Sequence, residues 1–559
     1  MTTAELLRGT GVVAGIAHAP AAWARKPPEL VPDERIIPEQ EREKEKARFL
    51  AAADAVANRY AARASAVTGA ASEVLAATAA LARDRGWIRA ATRQIAAGKP
   101  AATATTEAIA GFIAQFEKLG GLMAERATDL KDIRDRVVAE VLGLPEPGVP
   151  RPERPIILLA TDLAPSDTAG LDSSLVLGLV TQLGGPTSHT AIIARQLGIP
   201  CIVAVSGLAQ VPDGTPILVD GAAGTIAWGI DEAEARQLVA ADEGRRAAIR
   251  NWRGPGRLAS GEHVQLLANV QDGAGARAAS DSPAEGVGLF RTELCFLSAQ
   301  VEPSVTEQAA IYREVLDAFP GRKVVIRTLD AGSDKPVPFA DHAHEENPAL
   351  GVRGVRLSFA RDGLLTRQLD GIAEAVAGQP GDRSYVWVMA PMIATIDEAR
   401  RFAAEVRARG LFAGVMVEVP SVALLAEAFL GEVDFLSIGT NDLTQYTMAA
   451  DRMSPDLAAL TDPWQPAVLR LIAETAAAGK KLAKPVGVCG EAAADPELAC
   501  VLVGLGVTSL SMASSAIPAV GVALGGRTLA QCQRAAEKAL QAVTAAEAKQ
   551  AAREVLAAA

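Results

Sequence analysis

The sequence predicts an α/β multidomain chain: a small α/β domain with an all-helical insertion, followed by a (β/α)8 TIM-type barrel. Three observations carry this. The 559 residues exceed one compact unit at roughly 100–200 residues per domain. The segment Glu34 to Leu144 is Ala-rich, with charges at helical spacing and almost no Pro or Gly inside its runs. The second half holds eight short apolar runs, mostly separated by helical stretches. Eight strands alternating with helices over ~250 residues is the arithmetic of a closed parallel barrel.

Each element follows in order. Leu6 to Trp23 is Gly-, Val- and Ala-rich and predicts strand and turn. In the Ala-rich segment apolar positions recur at helical spacing, as at Leu50, Ala53 and Val56, and Ala is the best helix former. Several antiparallel helices are expected there. Pro145 to Pro155, with five prolines, breaks them. Strands are expected at Ile156–Ala160, Val176–Val180, Cys201–Val205 and Ile217–Val219, with a helix over Ser188–Leu197. Asp231 to Trp252 is charged and helical, and Gly254-Pro255-Gly256 ends it. The expected domains are 1–33 plus 145–229 (α/β), 34–144 (helical insertion), 230–261 (linker helix and hinge) and 262–559 (barrel with C-terminal helices). The eight barrel runs are His263–Ala268, Val287–Phe290, Val324–Ile326, Val386–Met389, Val415–Val417, Val433–Ile438, Val486–Val488 and Ser509–Ser511.

Composition excludes several classes. A net charge of −11 with 4% aromatics argues against nucleic-acid binding, which neutralises phosphates with basic patches. With 49% hydrophobic and 22% charged residues the chain is not wholly disordered. Cys201, Cys295, Cys489, Cys500 and Cys532 are scattered and lack a C-x-x-C spacing, so neither a disulfide framework nor a zinc knot is expected. The N-terminus lacks a signal pattern, and a cytoplasmic location is expected. Leu498 to Gly526 carries no charge and exceeds the ~20 residues of a spanning helix. Its apolar runs are broken by Ser, Gly and Pro518, so a short helix and a buried strand are expected, without stable membrane insertion.

Polar groups follow the barrel strands: Asn269, Arg291 and Glu293, Arg327 and Asp330, Glu418, Asn441 and Asp442, Cys489 and Glu491. Active sites of such barrels lie at these C-terminal strand ends. Arg291 and Arg327 are always-charged forks suited to phosphate or carboxylate. Glu418 and Asp442 are hard oxygen ligands, and Mg²⁺ commonly takes one or two carboxylates plus substrate oxygens. With Asn441 they describe a site for a small, highly anionic, metal-bridged molecule. Each residue alone reads as a structural ion pair, and only their shared barrel face favours the site. Cys489 is either a small buried hydrophobe or a proton donor.

Gly184-Gly185-Pro186-Thr187-Ser188-His189-Thr190 precedes a helical run. The glycines permit a tight turn, Ser188 could cap the helix, and a helix N-terminus favours an anion. Two readings stand side by side here: a phosphorylatable His189, or a Gly-rich turn with an exposed capping histidine. His342 and His344 read as surface loop.

These residues resemble a known family. Gly184–Arg195 resembles the phosphohistidine motif of phosphoenolpyruvate-using phosphotransferases. Gly286–Glu293, Arg327–Asp330, Glu345–Arg353, Val417–Pro420, Ser437–Tyr446, Val488–Glu491 and, in the helical segment, Glu125–Ile133 resemble, in order, the enzyme I family of the bacterial sugar phosphotransferase system. The resemblance covers essentially the whole chain. It implies a swivelling phosphohistidine domain, phosphoenolpyruvate bound at the barrel mouth, and Mg²⁺ on Glu418 and Asp442. It also implies that Arg291, Arg327 and Arg452 clamp the phosphate, with Asn441 on the carboxylate side. His189 would take the phosphoryl group, oriented by Thr168, and Cys489 would protonate the enolate to pyruvate. Arg353 lies in a loop that contributes to the site. The implied partners are the phosphocarrier protein HPr, docked on the helical insertion, and a second copy of the chain through the barrel. An acidic enzyme suits a basic carrier. The chain departs from the family at Pro186, Ser333 and Val352, and at Arg83-Asp84-Arg85, where relatives are often more acidic. Related dikinases and synthases share the His domain and barrel but need an ATP-binding domain, for which no P-loop or glycine-rich α/β stretch stands before Ile156.

Overall fold

Period-two alternation of apolar residues builds the N-terminal sheet of the computed structural model. The structure describes residues 5–25, 27–28, 33–66, 70–119, 121–150, 152–163, 171–186, 188–297, 299–332, 336–339, 345–379 and 384–558. The chain divides into two compact units, residues 1–246 and 247–559.

In the first unit β1 (Glu5–Arg8), β2 (Thr10–Val13), β3 (Ile16–Trp23), β4 (Ile156–Ala160), β5 (Val176–Thr181), β6 (Cys201–Val203), β7 (Pro216–Asp220) and β8 (Thr225–Trp228) form one sheet. Its order is β1-β8-β7-β3-β4-β5-β6-β2. The β3–β4, β4–β5 and β5–β6 pairs are parallel. Successive side chains of a strand face opposite ways. In β4, Ile157 and Leu159 accordingly join one apolar cluster with Ala19 and Ile217, while Ile156 and Leu158 join another with Cys201 and Val203. Sequence patterning misses β8, because its four residues follow β7 through a tight turn. There Asp220 Oδ1 accepts the backbone N–H of Ala222 and Ala223, each at 2.9 Å, and a side chain folding its own backbone in this way makes the turn.

Among the described residues the insertion between β3 and β4 forms five α-helices: α1 (Arg42–Ala66), α2 (Ala70–Ala82), α3 (Arg85–Ala96), α4 (Ala101–Leu119) and α5 (Gly121–Leu142). Small alanines let the helices approach closely around a few large residues. Trp87 of α3 is fully buried and meets Phe49 of α1 edge-on, with centroids 5.8 Å apart. Asp84 caps α3, its side chain accepting from Gly86 N at 2.8 Å.

The helix Glu232–Asn251 matches the helix expected over Asp231 to Trp252. Its Asp242 is buried and accepts from Ile16 N at 2.9 Å and from Arg246 Nε at 2.6 Å.

In the second unit β9 (Gln265–Val270), β10 (Val287–Arg291), β11 (Val324–Arg327), β12 (Val386–Ala390), β13 (Phe412–Val417), β14 (Phe435–Ile438), β15 (Val486–Val488) and β16 (Ser509–Met512) close a barrel. Neighbouring strands are parallel, and β16 pairs back onto β9. Every predicted apolar run supplies one strand. Alternation again sorts the residues. Leu289, Val325, Met389, Met416, Phe435 and Cys489 form one cluster, while Val287, Ile326, Val388 and Val415 pack in the larger cluster with the surrounding helices. The uncharged stretch Leu498–Gly526 resolves into part of the helix Pro496–Gly504, then β16 and the helix Ile517–Gly525. Among the described residues no helix is long and apolar enough to cross a membrane. All five cysteines are free and buried.

Candidate functional site

The C-terminal ends of the barrel strands deliver the polar residues to one mouth. Arg291 ends β10 and Arg327 ends β11. Glu418 follows β13 directly, and Cys489 follows β15. Asn441 and Asp442 occupy the first turn of the helix Thr440–Met448 after β14. A cavity of about 560 Å³ is lined by all six of these residues and by Arg452.

The cationic and anionic groups interlock. Arg327 donates to Glu293 Oε1 at 2.8 Å and lies 3.4 Å from Asp330. Arg353 grips Asp330 with two hydrogen bonds, 3.0 and 3.1 Å. The same guanidinium donates to Asp442 at 3.3 and 3.4 Å, and Arg452 lies 3.7 Å from Asp442. Tyr446 donates its hydroxyl to the Ala349 carbonyl and accepts from Arg353 at 3.4 Å. Asp330 is wholly buried and Arg353 nearly so. Sequence reasoning noted Asp330 only as a strand-end polar group and missed it as the acidic hub between two arginines.

Glu418 is 1% exposed. One carboxylate oxygen accepts from Met392 N at 2.9 Å, and Met392 holds a left-handed φ of 60° to aim that N–H. A non-glycine residue is strained there. Burial first, then the nearby Asp442 and Asp330, pushes the Glu418 carboxyl up to about 8. Buried carboxylates crowded this closely favour either a proton or a cation. Among the described residues no preformed cluster of three or more His, Cys, Asp or Glu could hold a metal ion. The donors fit instead a hard cation that takes two protein carboxylates and draws its other oxygens from a ligand. Arg327 Nε and the Thr440 hydroxyl have no hydrogen-bond partner among the described residues.

Cys489 is 2% exposed. Its backbone N–H is held by Ile438 O at 3.0 Å, and its carbonyl accepts from Asn269 Nδ2 at 3.2 Å. Burial pushes its thiol up to about 11, so it keeps its proton at neutral pH. Asn441 Oδ1 accepts from Glu491 N at 3.1 Å.

In the first unit His189 opens the helix His189–Leu197. Ser188 caps that helix, as expected, accepting from Ala191 N at 3.3 Å. Gly184 takes φ 96° in the preceding turn, a conformation that glycine adopts freely. Thr168, Ser333, His342 and His344 lie outside the described residues.

Family models for phosphoenolpyruvate-utilising enzymes match three stretches of the chain. They are the N-terminal model over residues 8–126, the mobile domain over 152–224 and the phosphoenolpyruvate-binding domain over 248–527. Barrel, mouth and models together define a phosphoenolpyruvate-utilising enzyme. The chain is 47% identical to the phosphoenolpyruvate-protein phosphotransferase of Streptomyces coelicolor, over 98% of this chain and 99% of that one. Identity to the Haloferax volcanii protein of the same name is 42%, over 81% of each chain. Identity to that of Staphylococcus carnosus is 37%, over 80% of each. The chain belongs to the phosphoenolpyruvate-protein phosphotransferase family.

Proposed function

We propose that the chain moves a phosphoryl group from phosphoenolpyruvate to His189, then to a histidine of the small phosphocarrier protein HPr, and releases pyruvate. This is the first step of a sugar phosphotransferase system. The observation that carries the proposal is the cavity in which Arg291, Arg327, Arg452, Asn441, Asp442, Glu418 and Cys489 converge. Phosphoryl transfer depends chiefly on positioning and charge neutralisation. Arg291, Arg327 and Arg452 bind the phosphate, and Asn441 donates on the carboxylate side. Glu418 and Asp442 would hold Mg²⁺, which would add neutralisation of the substrate's negative charge. Arg353 steadies Asp442 and, through Asp330, Arg327. The bond between phosphorus and the enol oxygen breaks as a ring nitrogen of His189 bonds to phosphorus. The enolate then takes the thiol proton of Cys489 at carbon, giving pyruvate and a thiolate that is reprotonated from solvent.

Residues 1–33 with 145–229 serve in this reading as the swivelling phosphohistidine domain and 34–144 as the carrier-binding insertion. Residues 230–261 are the hinge and 262–559 the substrate barrel. Thr168 orients His189. The enzyme works in the cytoplasm as a homodimer joined through the barrel. Labelled phosphoenolpyruvate, without ATP, is expected to label the wild type and not His189→Ala. Label persisting in the variant would overturn the assignment.

A further inference from the structure

Lys323 stands at the end of the barrel opposite the mouth. It immediately precedes β11, whose far end is Arg327. The side chain is half-buried, and its Nζ lies 3.6 Å from the ring centroid of Trp387. A ring face attracts a cation without neutralising it. Trp387 is itself fixed: its indole N–H donates to the Ser384 carbonyl at 2.8 Å, and its ring centroid lies 4.7 Å from that of Phe435. Among the described residues the Lys323 ammonium has no ion-pair or hydrogen-bond partner. Burial alone pushes it down to about 8.

A cavity of about 20 Å³ opens beside Lys323 inside the barrel. Such interiors are usually filled by bulky branched side chains. Here a row of small residues crosses three strands. Gly487 of β15 pairs with Ser437 of β14 and with Ser509 of β16. A Cβ on Gly487 would lie 2.4 Å from Ser509 Oγ, so the glycine permits the close approach of its neighbour. Ser437 hydrogen-bonds the Cys489 thiol. Ser509 is 8% exposed, lines the cavity, and has no hydrogen-bond partner for its hydroxyl among the described residues. Among the described residues no carboxylate lines this cavity.

We propose that this cavity binds one small monovalent anion, a halide ion such as chloride, held by the Lys323 ammonium and the Ser509 hydroxyl. Both groups can donate: an ammonium carries three N–H donors, and a hydroxyl turns its proton to suit. Size selects the ligand. About 10–15 Å³ holds one water-sized particle, so a cavity of about 20 Å³ admits a single atom and excludes phosphate, sulfate or a carboxylic acid. Charge decides between a halide and water. Water would solvate the ammonium and leave its charge uncompensated in the interior, where an isolated charge is costly. A halide neutralises it and accepts a charge-assisted hydrogen bond. The site does not depend on the phosphotransfer proposed at the mouth and stands or falls separately from it.

The test is titration of the full chain with sodium chloride, read by the excess linewidth of the chloride nuclear resonance, in phosphate buffer to occupy the arginines of the mouth. The wild type should broaden the line, bromide should reverse the broadening by competition, and gluconate, too large for the cavity, should not. Lys323→Met is expected to raise the Kd for chloride at least about tenfold, as loss of a charged hydrogen-bond donor does. Ser509→Ala is expected to raise it about threefold, the effect of a neutral one. Calorimetric melting gives a second reading, because a ligand that binds only the folded chain raises its Tm. The rise in Tm on replacing sodium gluconate by sodium chloride should be about 2–4 °C larger in the wild type than in Lys323→Met. No broadening by the wild type overturns the proposal. So does an unchanged Kd in either variant, or an equal response of Tm in the wild type and Lys323→Met, since the chloride is then held elsewhere.

Discussion

Cys489 joins two facts that chemistry needs together. It lines the cavity, and burial, only partly offset by a hydrogen bond with Ser437, holds its thiol near 11. An acid with its pKa raised keeps its proton until the pH rises through that value, so the thiol stays protonated from neutral pH to about 10. Cys489→Ala is expected to bind phosphoenolpyruvate with ordinary affinity and to lose pyruvate formation by about 10²- to 10⁴-fold, the usual contribution of a positioned acid. Equilibrium binding and single-turnover pyruvate release measure the two halves. A near-normal release rate would remove Cys489 from the proton step. Residues such as Cys489, Arg291 and Glu418 are legible in the sequence because each sits at the end of an apolar run, and the barrel converts that position into convergence. The Arg353–Asp330 pair is not legible. Twenty-three positions separate its members, and spacing carries no signal across such a connection. The left-handed Met392 N–H that holds Glu418 is equally invisible, since nothing in Pro391-Met392-Ile393 marks a strained backbone.

At the scale of elements, two neighbouring strand ends touch through a glycine. A Cβ built on Gly490 would collide with the Thr440 hydroxyl and lie 2.7 Å from the Thr440 backbone nitrogen. Gly490 lies beyond β15 and next to Cys489, while Thr440 opens the helix that bears Asn441 and Asp442. Gly490 has φ −87°, so the demand for glycine here is close approach and not conformation. Gly490→Ala must push the Cys489 segment and the Asn441–Asp442 turn apart. Overpacking of this kind costs about 1–3 kcal/mol. The expected result is a thermally folded barrel, with Tm lowered by only a few degrees and turnover reduced at least about tenfold. Calorimetry beside steady-state kinetics separates the two effects, and full activity would show that the two ends are not packed as described. The strands themselves were the most legible elements, because buried parallel strands read as continuous apolar runs. The helix-rich insertion was legible as helical, but not as five helices, because alanine marks helix without marking where it stops.

The whole molecule poses a problem of concentration. His189 belongs to the unit of residues 1–246 and the barrel-mouth cavity to that of 247–559. Each unit has its own apolar core. One buries Trp87 and Leu159, the other the barrel interior. Trp252 packs with the barrel core, so a cut between Asn251 and Trp252 keeps the linker helix whole and each core intact. A short tether holds two sites at an effective concentration in the millimolar range. Separate fragments mixed at about 1 μM lose that advantage, and labelling of His189 from phosphoenolpyruvate should slow by about 10³-fold. The rate should then rise linearly with the concentration of the barrel fragment, whose affinity for phosphoenolpyruvate should match that of the intact chain. Filter-binding of labelled protein over time measures the first quantity and calorimetry the second. Equal rates for mixed and intact enzyme would mean that covalent linkage contributes nothing to the meeting of histidine and substrate. Label on the isolated barrel fragment would mean that His189 is not the acceptor at all.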